Sequence, residues 1–93
     1  MEIQIDPHTV ERAAERGTSE DEVKDVLTTG FPITGKYGRF GKAKIYEFRQ
    51  KRHNVSYEQK RVEVFYTIEK ETAITVTVYV FYGNWEGKDA NPI

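Results

Sequence analysis

The residues best suited to chemistry are two histidines and an uneven supply of arginine and lysine. His8, Arg12 and Arg16 recur at every fourth position, so on a helix each lies about 40° further round than the last and the three form one basic ridge. An imidazole suits proton transfer and a guanidinium offers a planar fork to phosphate oxygens, so the trio fits an acid–base group beside held phosphate or oxyanion. The same spacing also describes a solvated helix face, with Glu11 and Glu15 alongside to neutralise it. His53 lies in Lys51-Arg52-His53-Asn54, a polar connection that suits phosphate contact and proton shuttling and equally reads as a surface loop.

Further cations follow one another through the middle of the chain: Lys36, Arg39 and Lys42 between Gly35, Gly38 and Gly41, then Lys44, Arg49, Lys51 and Arg52. Tyr37, Tyr46 and Tyr57 are interleaved with them, a mixture that suits RNA through phosphate contact and base stacking, although strand aromatics also fill cores. The charge is segregated: residues 1–29 sum to −5, residues 30–61 to +7 and residues 62–93 to −3. A basic middle between acidic ends predicts a cationic patch on one face. Its structural alternative is a set of strand cations paired with the acidic helices.

Other chemistries drop out. There is no cysteine, hence no disulfide, thiol catalysis or thiolate metal site. P-loop, dinucleotide-binding, His-Glu-x-x-His and calcium-loop patterns are missing. The glycine-rich stretch is not followed by a helix, so it lacks the dipole end of a nucleotide cradle. The sequence predicts no cofactor and no metal. With no export signal and no run of ~18 apolar residues, it also predicts a cytosolic protein without membrane contact.

The elements that must position these residues make an α+β domain over residues 1–83, with residues 84–93 as a tail. Glu2–Ile5 alternates and reads as a strand near a sheet edge. Asp6 and Pro7 supply a cap and a first helical residue, Gly17 a left-handed stop, and Val10, Ala13 and Ala14 the apolar face. Ser19 with Glu22 forms a capping box for a second helix with Val23, Val26 and Leu27 inward, stopped by Gly30 and Pro32. Ile33–Tyr37 reads as a strand or the way into a loop, and Ala43–Gln50 as a strand. Val55–Tyr57 either continues a strand or loops. Lys60–Glu69 and Ala73–Tyr82 form the clearest strand pair, joined at Lys70-Glu71-Thr72. Alternation assigns Val62, Val64, Tyr66 and Ile68, with Ile74, Val76, Val78 and Val80, to the core, and Phe65, Tyr79 and Phe81 to the opposite side. Those outer aromatics require cover from the glycine-rich loop, the tail at Trp85 or a partner.

The stretch from His8 to Ser19, followed by Val23, resembles the opening of a small bacterial family of unknown function with the pattern H-A-x-x-R-M-x-x-R-G-I-S-x-x-x-V. Ala73–Tyr79 is similar to that family's closing strand. More distantly, Asp6-Pro7 and Glu15–Val23 resemble the start of BrnT-type toxins, which have a RelE-like fold. The resemblance implies two short helices packed on a curved antiparallel sheet of about four strands, and an endoribonuclease working beside an antitoxin. It puts His8, Arg12 and Arg16 on the motif positions. Thr9 and Ala13 depart from the pattern, and the carboxy-terminal helix of BrnT toxins is missing.

These readings converge on a metal-independent, toxin-like endoribonuclease. Its candidate catalytic residues are His8, Arg12, Arg16 and His53, and Lys36, Arg39, Lys42, Lys44, Arg49, Lys51 and Arg52 are its RNA contacts. The alternatives are a non-catalytic module that binds RNA or protein, and a homodimer formed through the outer sheet face.

Overall fold

Both helices begin and end where their terminal residues require. Asp6, in extended conformation, accepts from the His8 N–H at 2.8 Å, and Ser19 accepts from the Glu22 N–H at 3.1 Å. Gly17, at φ +97°, closes the first helix with its N–H on the Ala13 and Ala14 carbonyls. The computed structural model describes residues 2–85. In order they form β1 (Glu2–Gln4), α1 (Pro7–Arg16), α2 (Glu20–Thr29), β2 (Phe31–Ile33), β3 (Phe40–Arg52), β4 (Val55–Glu69) and β5 (Thr72–Gly83).

The five strands form one sheet in the order β1-β5-β4-β3-β2. Its architecture is α+β, as expected, but the sheet is mixed and larger than the four antiparallel strands anticipated. β1 joins β5 in parallel, pairing Glu2 to Thr72 and Gln4 to Ile74. β2 is too short for alternation to reveal it. It lies on the outer edge of β3, where the missing N–H of Pro32 interrupts no ladder.

The helices cover one face of the sheet. Ala13, Val23, Val26, Val62, Val64 and Val78 form the buried cluster, with Ile5, Leu27, Tyr46 and Val80 packed around it. Two inward faces differ from expectation. On α1 the buried residues are Thr9 and Ala13, while Val10 and Ala14 are exposed. The Thr75 hydroxyl donates to Thr9 Oγ1 at 3.0 Å, and the Asp6 N–H donates to Thr75 Oγ1 at 3.0 Å. These bonds turn the polar threonine side of α1 inward and satisfy it.

On β5 the expected core set holds only at its far end. Phe65 pairs with Thr77 but Tyr66 with Thr75, which leaves Val76 as the extra residue of a β-bulge. A bulge resets the alternation. Ala73 and Thr75 therefore face the core before it and Val78 after it, while Ile74 points away and Ile68 is exposed.

Candidate functional site

The cations of the middle third divide by sheet face. Lys44, on the helix side, donates to Asp25 Oδ2 at 2.7 Å and to Thr29 Oγ1 at 2.8 Å. Lys42 lies on the same side, lining a hollow with Leu27, Thr28 and Tyr66. Arg49 sits at a bulge opposite Glu58 and pairs with Glu47 at 3.2 Å and Glu58 at 3.7 Å. Lys51 lies near it at the end of the β3–β4 hairpin, beside Tyr57.

The basic middle meets α1 at that helix's carboxy end. Arg52 Nη2 donates to the Glu15 carbonyl at 3.0 Å, Tyr82 Oη to the Arg16 carbonyl at 2.6 Å, and Lys60 Nζ to the Gly17 carbonyl at 2.9 Å. Lys60 is buried and also bonds Glu22 at 2.7 Å, while the Arg52 guanidinium lies 4.9 Å over the Tyr82 ring. These groups take up carbonyls that a helix end leaves free and put positive charge at its negative pole. Here the structural alternative for strand cations is realised.

The ridge on α1 does not stay together. His8 is exposed, and among the described residues Arg12 makes only a solvent-exposed pair with Glu15 at 3.7 Å. Arg16 turns to the sheet edge, where Nη1 donates to the Val78 carbonyl and the guanidinium lies 5.1 Å over the Tyr79 ring. His53 occupies the β3–β4 turn with φ 52°. The amino end of α1 is tied to Thr75, which pairs with Tyr66, eleven residues along β4 from Val55. At ~3.3 Å per strand residue, His8 and His53 are on the order of 30 Å apart. One reaction centre holds one of them.

The face away from the helices carries a different group. There Phe65 and Tyr79 meet edge to face at 6.0 Å, and Tyr79 and Phe81 stack at 6.4 Å. Tyr79 and Phe81 are 42% and 48% exposed. The loop between β2 and β3 overhangs this face, and a groove of about 320 Å³ runs between Thr34, Lys36, Tyr37 and Arg39 above and Phe65, Thr77 and Tyr79 below. Lys36 and Arg39 have no ion-pair partner among the described residues. Gly41 makes the floor possible, because a Cβ there would lie 2.8 Å from Ile33 and 2.9 Å from the Phe65 ring.

Beside the groove, Arg61 Nε donates to Glu63 Oε2 at 2.9 Å, with the two side chains only 13% and 17% exposed. The Arg61 guanidinium lies 5.4 Å over the Phe31 ring. Phe65, Thr77 and Tyr79, which line the groove, and Glu63, paired with Tyr79 beside it, are the residues that the spacing of cations does not reveal. Their signal is the strand alternation that puts Phe65, Tyr79 and Phe81 outward; Arg61 and Glu63 share that parity.

Residues 5–80 match the family model for DUF4258, a domain of unknown function. The chain belongs to this family. No curated protein and no solved structure matches it. The DUF4258 match spans both helices, the groove loop and most of β5, so the groove lies within the family domain. No helix among the described residues is long and apolar enough to cross a membrane, and no three His, Asp or Glu side chains there gather into a metal-binding group.

Proposed function

We propose that this domain acts on RNA as a metal-independent, toxin-like endoribonuclease, with single-stranded RNA lying across the open sheet face. The observation that carries this reading is the groove: above, two cations without ion-pair partners among the described residues, and below, two aromatic rings. Unstacked bases lie on aromatic rings while phosphates take lysine or arginine, a combination that favours single strands over duplexes. Hydrolysis of RNA needs no metal when a ribose 2′-hydroxyl is the nucleophile, because a base, a phosphate holder and a proton source suffice. In this reading an antitoxin protein covers the aromatic face and keeps the domain silent.

The test is cleavage of labelled RNA, free and ribosome-bound, in excess chelator. Cleavage is expected to persist. The Lys36→Ala/Arg39→Ala variant should bind single-stranded RNA at least tenfold more weakly, with a log–log salt slope reduced by about 1.4 for two lost phosphate contacts. No cleavage of either substrate sinks the enzyme; salt-sensitive binding without cleavage leaves an RNA-binding module. A second reading, a protein-docking face, draws on Phe81, which extends the aromatic surface beyond the groove. It predicts binding that is nearly indifferent to salt.

A further inference from the structure

The Arg61–Glu63 pair stands at the centre of an aromatic face. The strand register puts Ala43, Glu63 and Tyr79 in one row across β3, β4 and β5, with Gly41, Phe65 and Thr77 in the next. Phe65 and Thr77 of the second row and Tyr79 of the first line the groove. The carboxylate therefore borders the place where a ribose–phosphate would lie, while His8 and Arg12 belong to the helix on the opposite face. An ion pair this dry contributes little net stability, since desolvation offsets its attraction, and apolar side chains of similar volume would serve the fold as well. Its geometry is that of a held base: Arg61 fixes Oε2, Phe31 fixes Arg61, and Oε1 has no hydrogen-bond partner among the described residues.

We infer that Glu63 is the general base of the proposed RNA cleavage, oriented by Arg61. The inference rests on the endoribonuclease reading and names its reacting group. Glu63 Oε1 takes the proton of a ribose 2′-hydroxyl as that oxygen attacks the adjacent phosphorus. The bond from phosphorus to the 2′-oxygen forms as the bond to the 5′-oxygen breaks, and the departing oxygen takes a proton from water. Glu63 returns its proton to solvent. The products are a 2′,3′-cyclic phosphate and a 5′-hydroxyl end, with nothing oxidised or reduced. Arg16, held over Tyr79 in the same row, adds positive charge beside the phosphate.

The experiment compares wild type, Glu63→Gln and the surface control Glu11→Gln on one labelled single-stranded RNA in chelator, measuring cleavage, RNA affinity and the urea midpoint. Glu63→Gln is expected to cleave 10²- to 10⁴-fold more slowly, as for loss of a general base, while its affinity stays within about twofold of wild type. Wild-type product should carry the cyclic phosphate. If Glu63→Gln is unfolded, Arg61→Met/Glu63→Gln, which leaves no unpaired charge, replaces it and must be inactive. Cleavage by either folded variant within about threefold of wild type overturns the inference and leaves the endoribonuclease reading standing. A wild-type chain that cleaves no RNA overturns both.

Discussion

At the scale of single residues, Asp25 shows what the acidic helix does for the basic strands. Its carboxylate accepts from Lys44 Nζ at 2.7 Å and from the Tyr46 hydroxyl at 2.6 Å. These bonds, Lys44 first and Tyr46 second, hold its pKa below the usual 3.8. A depressed carboxyl contributes stability above its unfolded value, and loses it as pH falls through the lower folded one. Tyr46, Tyr66 and Tyr82 are shifted upward, chiefly by burial. A phenol raised in the fold keeps its contribution below about pH 10 and loses it as pH rises further. Urea midpoints from pH 3 to pH 11 should therefore fall at both ends. Asp25→Asn should flatten the acid limb and lower the midpoint at pH 7; an acid limb identical to wild type would assign it to other carboxylates. In the sequence Asp25 is one acid among several on its helix, because a bond between residues 19 apart leaves no local pattern.

At the scale of elements, the helices were legible because their boundaries are written in adjacent residues: Asp6 with Pro7, Ser19 with Glu22, and Gly17. Strand faces were legible only as far as alternation ran unbroken. The bulge at Val76 moved Thr75 into the core and Ile74 out of it, and no residue type there announces a bulge. The hairpin turns carry a related lesson. His53-Asn54 joins β3 to β4 with both φ angles positive (52° and 66°), and Lys70-Glu71 joins β4 to β5 in the same manner (46° and 71°). Two consecutive left-handed residues are the mark of the turn that matches strand twist, and Asn-Gly is its preferred pair. Lys and Glu bear a backbone cost there that Asn and Gly do not. Lys70→Asn/Glu71→Gly should raise stability by about 0.5–1 kcal/mol, read as a higher urea midpoint at unchanged slope. A lower midpoint would mean that the two side chains stabilise the turn by more than their strain.

At the scale of the whole molecule, the sheet has one face closed by helices and one face open, and its edges are treated unequally. The free part of β3 carries Lys44, Arg49, Lys51 and Arg52 and is broken by a bulge between Glu47 and Gln50. Charge and irregularity of that kind discourage another strand from adding. β5 differs, because β1 pairs only with Thr72–Ile74 and the following Thr77-Val78-Tyr79-Val80-Phe81-Tyr82 has no charge and, among the described residues, no strand partner on that side. Arg16 is what occupies this edge, bonded to the Val78 carbonyl and laid over Tyr79. Read along the sequence it belongs with His8 and Arg12; only the packing of α1 against β5 separates it from them. Arg16→Ala should lower stability by about 1–2 kcal/mol through a lost charged hydrogen bond. It should also make the chain self-associate at concentrations where wild type does not, measured by light scattering across a dilution series. Arg16→Glu, which restores a charge to the edge without the bond, should be destabilised but should not associate. Association of both variants alike would trace it to the open aromatic face, and association of neither would leave α1 itself as the cover of that edge.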